Sequence, residues 1–205
     1  MTGCCENKTS ELNALKDSQS SVLKWVLLIN AVMFIVEMTA GLLAHSTALL
    51  ADSLDMLGDT LVYGFSLYVL HRNQKWLAIS AMLKGIIMLC FGLFVLAEAT
   101  YKIFLPVLPT AELIGGIGLL ALIANLICFY LLWKHRSDDI NMKSVWLCSR
   151  NDVFANTGVI FAAIGVALLQ SRWPDIIIGL IIAGLFLHTS YSVLRDAFLH
   201  FKHCK

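Results

Sequence analysis

Charge is scarce in this chain. Only 14% of its 205 residues are Asp, Glu, Lys or Arg, against about 25% in an ordinary soluble domain. The formal net charge is +1, so there is no basic field to draw nucleic acid, and a nucleic-acid partner is excluded. Proline is as rare, with three residues, Pro106, Pro109 and Pro174. No Pro/Gly/Ser-rich linker divides the sequence, which therefore reads as one compact unit. A cleavable signal peptide is missing, because the first 20 residues are rich in Glu, Lys, Ser and Asn and have no apolar core. There is no Gly-rich phosphate loop, no nucleophile–base motif and no soluble segment to hold one, so an enzyme is the least supported class and no cofactor is implied. The six cysteines, Cys4, Cys5, Cys90, Cys128, Cys148 and Cys204, do not form a disulfide framework: three lie in apolar segments and three near the termini. Metal or thiol chemistry is the alternative.

Apolar residues are what the chain has in excess, at 59%. That points to lipid as the solvent. A spanning helix needs about 20 mostly apolar residues, and six such stretches are predicted, at residues 22–43, 47–70, 76–99, 112–133, 142–169 and 174–194. The expected fold is an all-α membrane protein, a six-transmembrane-helix bundle. Pro106 and Pro109 suit a connection, and Pro174 suits the first turn of the sixth helix. Lys and Arg in the short flanks set the orientation. Eleven fall on the side of the termini and of the second–third and fourth–fifth connections, against Lys102 and Arg172 on the other. Both termini are therefore expected in the cytoplasm. The expected organisation is an N-terminal tail over 1–21, a transport domain over 22–196 and a short C-terminal tail over 197–205.

Against this background some residues are out of place. A charge at the centre of a bilayer helix costs at least ~2.5–3.5 kcal/mol, and such groups face a cavity or a partner. The second span carries Asp52, Asp55 and Asp59. At about 100° per residue they share roughly 60° of arc. Asp55 and Asp59 are one turn apart, so both carboxylates can reach one atom. Three like charges in lipid repel, and a bound cation removes the penalty. The fifth span adds Cys148, Asp152 and Asn156, each four residues from the next. Two facing half-sites of oxygen and sulfur donors suit a four-coordinate Zn²⁺ or Cd²⁺, whereas Mg²⁺ and Ca²⁺ prefer larger all-oxygen shells. Each residue also has a plainer reading. Asp52, nearer the start of its span, can serve as a hydrogen-bond partner within the bundle, and Cys148 alone can be a packed cysteine. Arg150 is offset from Cys148 and is expected to face away from the site, while Lys84 is a candidate partner for Glu37 or an aspartate.

Residues 46–59, STALLADSLDMLGD, resemble the second-span signature S-x-A-L-L-A-D-A-x-H-M-x-x-D of the cation diffusion facilitator family. Residues 141–152, NMKSVWLCSRND, resemble its fifth-span pattern N-M-R-x-x-x-L-H-x-x-x-D. Residues 30–41 with Glu37, residues 72–98, and Asn125 are similar to the first, third and fourth spans. The resemblance covers about residues 22–196. It implies a six-helix homodimeric exporter of Zn²⁺ or related ions, usually in exchange for protons. It also implies a transport site of Asp55, Asp59, Cys148 and Asp152, with Asp55 and Cys148 standing where the family usually has histidine. The usual cytoplasmic C-terminal domain is expected to be missing, giving a short form of the family.

The resulting expectation is a Zn²⁺/Cd²⁺ efflux transporter exchanging metal for protons by alternating access, embedded in the lipid of a bacterial inner membrane. Asp52, Asn156, Cys4 and Cys5 are secondary metal candidates, the two cysteines as collectors of soft ions at the cytoplasmic mouth. His200, His203 and Cys204 have ligand-like spacing at the C-terminus. His45 and His71 read as interfacial, and His188 as a packed core residue or a proton relay. Two other functions stay open: a membrane metal-binding scaffold or sensor that does not transport, and a proton-coupled exporter of another small solute.

Overall fold

The computed structural model describes residues 3–69, 74–104, 107–138 and 140–203. Within them, the side chains of 3–16, 66, 69, 74–84, 140–141, 143–144, 147–148, 193 and 196–203 are outside the described set. The chain is all helical, with α1 Gly3–Ala44, α2 Thr47–Val69, α3 Gln74–Phe104, α4 Ala111–Trp133, α5 Ile140–Leu169 and α6 Trp173–His203. The predicted six-helix bundle is thus observed. The two end segments read from sequence as tails continue α1 back to Gly3 and α6 on to His203. Neither stretch contains proline, so nothing in the backbone stops the helix.

Among the described residues, five helices are long and apolar enough to cross a membrane. The aspartates of α2 lower its hydropathy, but its 23 residues at 1.5 Å each reach about 35 Å, enough for a hydrocarbon core of about 30 Å. Large apolar side chains face outward throughout, with Phe104 81%, Tyr130 79% and Leu168 79% exposed. Water would not tolerate so continuous an apolar surface. The chain is an integral membrane protein.

The helices pack most extensively as the pairs α1/α2, α3/α6 and α4/α5, and α2 is central, touching α1, α3, α5 and α6. Small residues let the backbones approach where hydrophobicity offers no drive between helices. Ala40, Ala44, Ala48 and Ala51 are all buried along the α1/α2 seam. A Cβ on Gly92 of α3 would lie 2.8 Å from Leu187 of α6. Ser190 of α6 also donates to the Gly85 carbonyl of α3 at 2.7 Å.

One end of the bundle holds the α1–α2, α3–α4 and α5–α6 connections. Helix α1 ends with the Ser46 N–H bonded to the Gly41 carbonyl (3.0 Å), the His45 N–H bonded to Leu42 (3.4 Å) and His45 itself at φ 51°. This is a Schellman-type stop with a histidine in the left-handed region. Helix α2 then starts with Ser46 as its N-cap, which leaves its first two amides to another helix. Its first amides are taken by Asp175 of α6: Thr47 N–H at 2.6 Å and Ala48 N–H at 3.2 Å, with the Ser46 hydroxyl donating to the same carboxyl. Ser46 Oγ in turn accepts from Leu49 N–H at 3.0 Å. A carboxylate here satisfies orphan donors and faces the positive end of the helix dipole. Gly179, one turn further along α6, is what lets the helices approach, since a Cβ there would lie 2.6 Å from Thr47 Cγ2. Thr110 N–H bonds the Ala44 carbonyl (3.0 Å), and Arg172 bonds the Ile103 carbonyl (3.2 Å).

At the opposite end, the turn after α4 docks on α1. His135 Nδ1 lies 2.7 Å from Asp138, Gln19 donates to Asp138 at 3.2 Å, and Ser18 lies 3.4 Å from His135 Nε2. The slight burial of Asp138 pushes its carboxyl up, but the bonds with His135 and Gln19 outweigh this and hold it below the usual carboxylate range. The tie is therefore present at neutral pH and fades as pH falls through that lowered value.

Replacing Asp175 by Ala strands the buried donors at the start of α2 and should cost about 2–4 kcal/mol, seen as a lower midpoint in thermal unfolding of the detergent-solubilised protein. His45→Gly removes the left-handed strain of an exposed residue and should raise stability by about 1 kcal/mol in the same assay.

Candidate metal site

Below its first two turns α2 presents its aspartates on adjacent, not identical, directions. Asp55 and Asp59 line a cavity of about 490 Å³ bounded by α2, α3, α5 and α6. Asp152 and Asn151 of α5 line the same cavity, and its remaining wall is apolar, including Met88, Phe154, Ile182 and Phe186. Asp59 and Asp152 are buried, and Asp55 is half-buried. The sequence-predicted carboxylates from two helices thus meet in one chamber. Among the described residues, no three His, Cys, Asp or Glu side chains close on a single point. Cys148 lies on α5 one turn before Asp152, and its side chain is outside the described residues.

Asp52 and Asn156 do not line this chamber. Both are fully buried. The Asn156 amide donates to Asp52 Oδ1 at 3.2 Å and to the Asp152 main-chain carbonyl at 2.9 Å. Asp52 lies on the α1 side of α2, within hydrogen-bonding reach of Glu37. Sharing an arc on a helical wheel did not separate these faces, because the wheel does not contain the neighbours of Asp52, Glu37 on α1 and Asn156 on α5.

Tyr63 is a residue the sequence reading missed. Its hydroxyl, fully buried, donates to Asp59 Oδ2 at 2.5 Å. The i,i+4 spacing of Asp59 and Tyr63 was the available signal. A donor from the same helix fixes the rotamer of the carboxylate, as outer partners do for metal ligands. Asn125 of α4 and Asn30 of α1 are also buried in the bundle, Asn30 donating to the Val26 carbonyl and to Cys128 Sγ.

Among the other candidates, Arg150 is exposed and lies 6.0 Å from the Trp146 ring. His188 is exposed on α6, so it is not a packed core histidine. His45 is the exposed turn residue described above. The side chains of Cys4, Cys5, Lys84, His200 and His203, and all of His71 and Cys204, lie outside the described residues.

Residues 23–201 match the cation efflux transmembrane domain. The chain is similar to the zinc transporter ZitB of Yersinia pestis, 27% identical over 200 residues, covering 89% of this chain and 63% of the relative. It is similar to the cadmium, cobalt and zinc/H(+)-K(+) antiporter of Bacillus subtilis, 25% identical over 192 residues, covering 85% of this chain and 62% of that one. The metal cation efflux system protein CzcD of Cupriavidus metallidurans is 24% identical over 189 residues, covering 85% and 59%. The chain therefore spans a little under two thirds of the length of these relatives.

Tyr63→Phe frees the Asp59 carboxylate to leave its rotamer. It should weaken Zn²⁺ binding by about tenfold without altering the helical content, as read by isothermal titration beside circular dichroism; an unchanged Kd would show that the phenol does not orient Asp59.

Proposed function

We propose that this chain, which belongs to the cation efflux family, exports divalent metal ions of the Zn²⁺/Cd²⁺ class in exchange for protons. The observation that carries the reading is the convergence of Asp55, Asp59 and Asp152 from two helices on one intramembrane chamber. The ligand set is Asp55, Asp59 and Asp152, completed by the thiolate of Cys148. Acids in a chamber of low dielectric bind a cation that cancels their repulsion and release it when protons take its place. A sulfur ligand favours softer ions. The metal is the substrate, and no resident cofactor is required.

The termini and the His135–Asp138 turn lie in the cytoplasm, following the excess of Lys and Arg on that side, and the Asp175 end faces outward from a bacterial inner membrane. The protein works as a homodimer, as its resemblance implies. The transport motion is a displacement of the α3/α6 pair against α2 and α5. The chamber lies on the seam between them, and each side has its own internal packing, so the chamber can change shape without opening either core.

Reconstituted protein should move Zn²⁺ and Cd²⁺ into a dye-loaded liposome at a rate that rises with an opposing proton gradient. Asp59→Asn should lower that flux at least tenfold. Binding without flux in folded wild type would instead favour a scaffold or sensor, and proton-coupled flux of another solute would favour the remaining alternative. Cys148→His should shift the Cd²⁺/Zn²⁺ flux ratio toward Zn²⁺ by about tenfold, checked by competition between the two ions in the same vesicles. An unchanged ratio would count against sulfur as a selecting ligand.

A further inference from the structure

The bundle contains a second acidic group that the metal chamber does not use. Glu37 of α1 and Asp52 of α2 are both fully buried, and their carboxyls lie within hydrogen-bonding reach of each other. Both Glu37 oxygens, Asp52 Oδ2 and Asn156 Oδ1 receive no hydrogen bond. The amide that does reach the pair, Asn156 Nδ2, goes to the other Asp52 oxygen. Among the described residues no lysine or arginine forms an ion pair with either acid. The other charge acting on Glu37 is again negative, Asp55, one turn along α2.

Two acids and an amide oxygen, buried together with four acceptor atoms left unsatisfied and one amide donor between them, are a ligand set without its cation. Buried acceptors are ordinarily satisfied, and an exception calls for an ion, a proton or a water. The donors are all oxygen, which suits a hard cation and not the soft divalent ions favoured by a thiolate. Two carboxyls this close do not both ionise cheaply, and one proton or one alkali-metal ion shared between them removes the repulsion. We propose that Glu37, Asp52 and Asn156 form a second cation site, separate from the metal chamber, that holds the hard monovalent counter-ion of transport, a proton or an alkali-metal ion.

The placement fits that role. Asp52 precedes Asp59 by seven residues, about 10 Å along the helix axis, toward the Asp175 end of the bundle. On the orientation proposed above, an ion entering from outside meets this site before the metal chamber. The two sites are joined through Asn156, whose single amide nitrogen holds both Asp52 and the main-chain carbonyl of the ligand residue Asp152. A cation drawing on Asp52 changes the hold on Asn156 and so on the segment that carries Asp152. That is a differential contact of the kind two coupled sites require.

The inference rests on the transport reading, and the test separates the two. Wild type, Glu37→Gln, Asp52→Asn and Asp59→Asn are reconstituted, and Zn²⁺ flux is followed under a proton gradient alone and under a K⁺ or Na⁺ gradient alone. Zn²⁺ Kd is measured by titration. Infrared spectra of the Zn²⁺-loaded protein at neutral pH, in which the chamber acids hold metal, record the protonated-carboxyl band, and thermal unfolding is measured with and without K⁺ or Na⁺. Glu37→Gln should keep the Zn²⁺ Kd within about threefold of wild type, while the gradient-driven part of the flux falls at least tenfold; Asp52→Asn should lose the same gradient response. Asp59→Asn should lose binding as well. If the ion is a proton, the wild-type spectrum carries the band and Glu37→Gln lacks it. If it is an alkali ion, the band is missing and K⁺ or Na⁺ both drives flux and stabilises wild type but not Glu37→Gln. Gradient response intact in Glu37→Gln, or Zn²⁺ binding lost in Glu37→Gln as in Asp59→Asn, overturns the second site. Wild type without flux defeats the transport reading instead. In that case the infrared band and alkali-dependent stability still decide the site, and finding neither in wild type overturns it.

Discussion

Helix α2 depends on a carboxylate that belongs to another helix. Its amino end follows a turn of two residues, His45 and Ser46, and would otherwise leave the Thr47 and Ala48 amides unbonded in a place with little water. Asp175 takes the Thr47 and Ala48 amides and the Ser46 hydroxyl. In lipid the backbone must be satisfied within the protein, so this clamp sets where α2 begins and how it is rotated. Asp52, Asp55, Asp59 and Tyr63 all lie downstream on the same rod, and their directions follow from it.

The clamp also joins two bodies that are otherwise packed internally. Helix α6 is fastened to α3 through the Gly92–Leu187 contact and the Ser190–Gly85 bond. Helix α2 is fastened to α1 along an alanine-rich seam, and α5 to α4. The metal chamber lies between the bodies, with carboxylates on α2 and α5 and an apolar wall on α6. Burying charge against an apolar wall is costly unless a cation is present, so the walls differ in what they accept, and their separation is sensitive to what lies between them.

Much of this was legible in the sequence, for reasons that can be named. Lipid demands long apolar runs, and that demand writes the helices plainly: the structure ends α4 and α5 at Trp133 and Leu169, where the hydropathy ended them. The carboxylates of α2 stood out because nothing else explains acids in such a run. What could not be read was tertiary. Asp52, Asp55 and Asp59 share an arc, yet Asp52 turns to Glu37 on α1 and the others turn to the chamber. The wheel contains no neighbour, so it cannot make that division. Asp175 was hidden beside Pro174 because its role is to cap a helix more than a hundred residues earlier. Tyr63 looked like one more apolar residue, and its spacing from Asp59 carried meaning only once Asp59 was a site residue. Extension of α1 through residues 3–21 was also missed, since a polar segment outside the apolar run gives no spanning-helix signal.

Tyr63 brings an optical property to the protein. A phenol shut away from solvent, with its hydroxyl on the Asp59 carboxylate, absorbs ultraviolet light at an energy that responds to that hydrogen bond. When Asp59 changes partner, the chromophore next to it changes colour slightly. Among the five tyrosines of the chain, this one is bonded to an acid that lines the chamber, so the protein contains its own spectroscopic gauge of what that acid is holding.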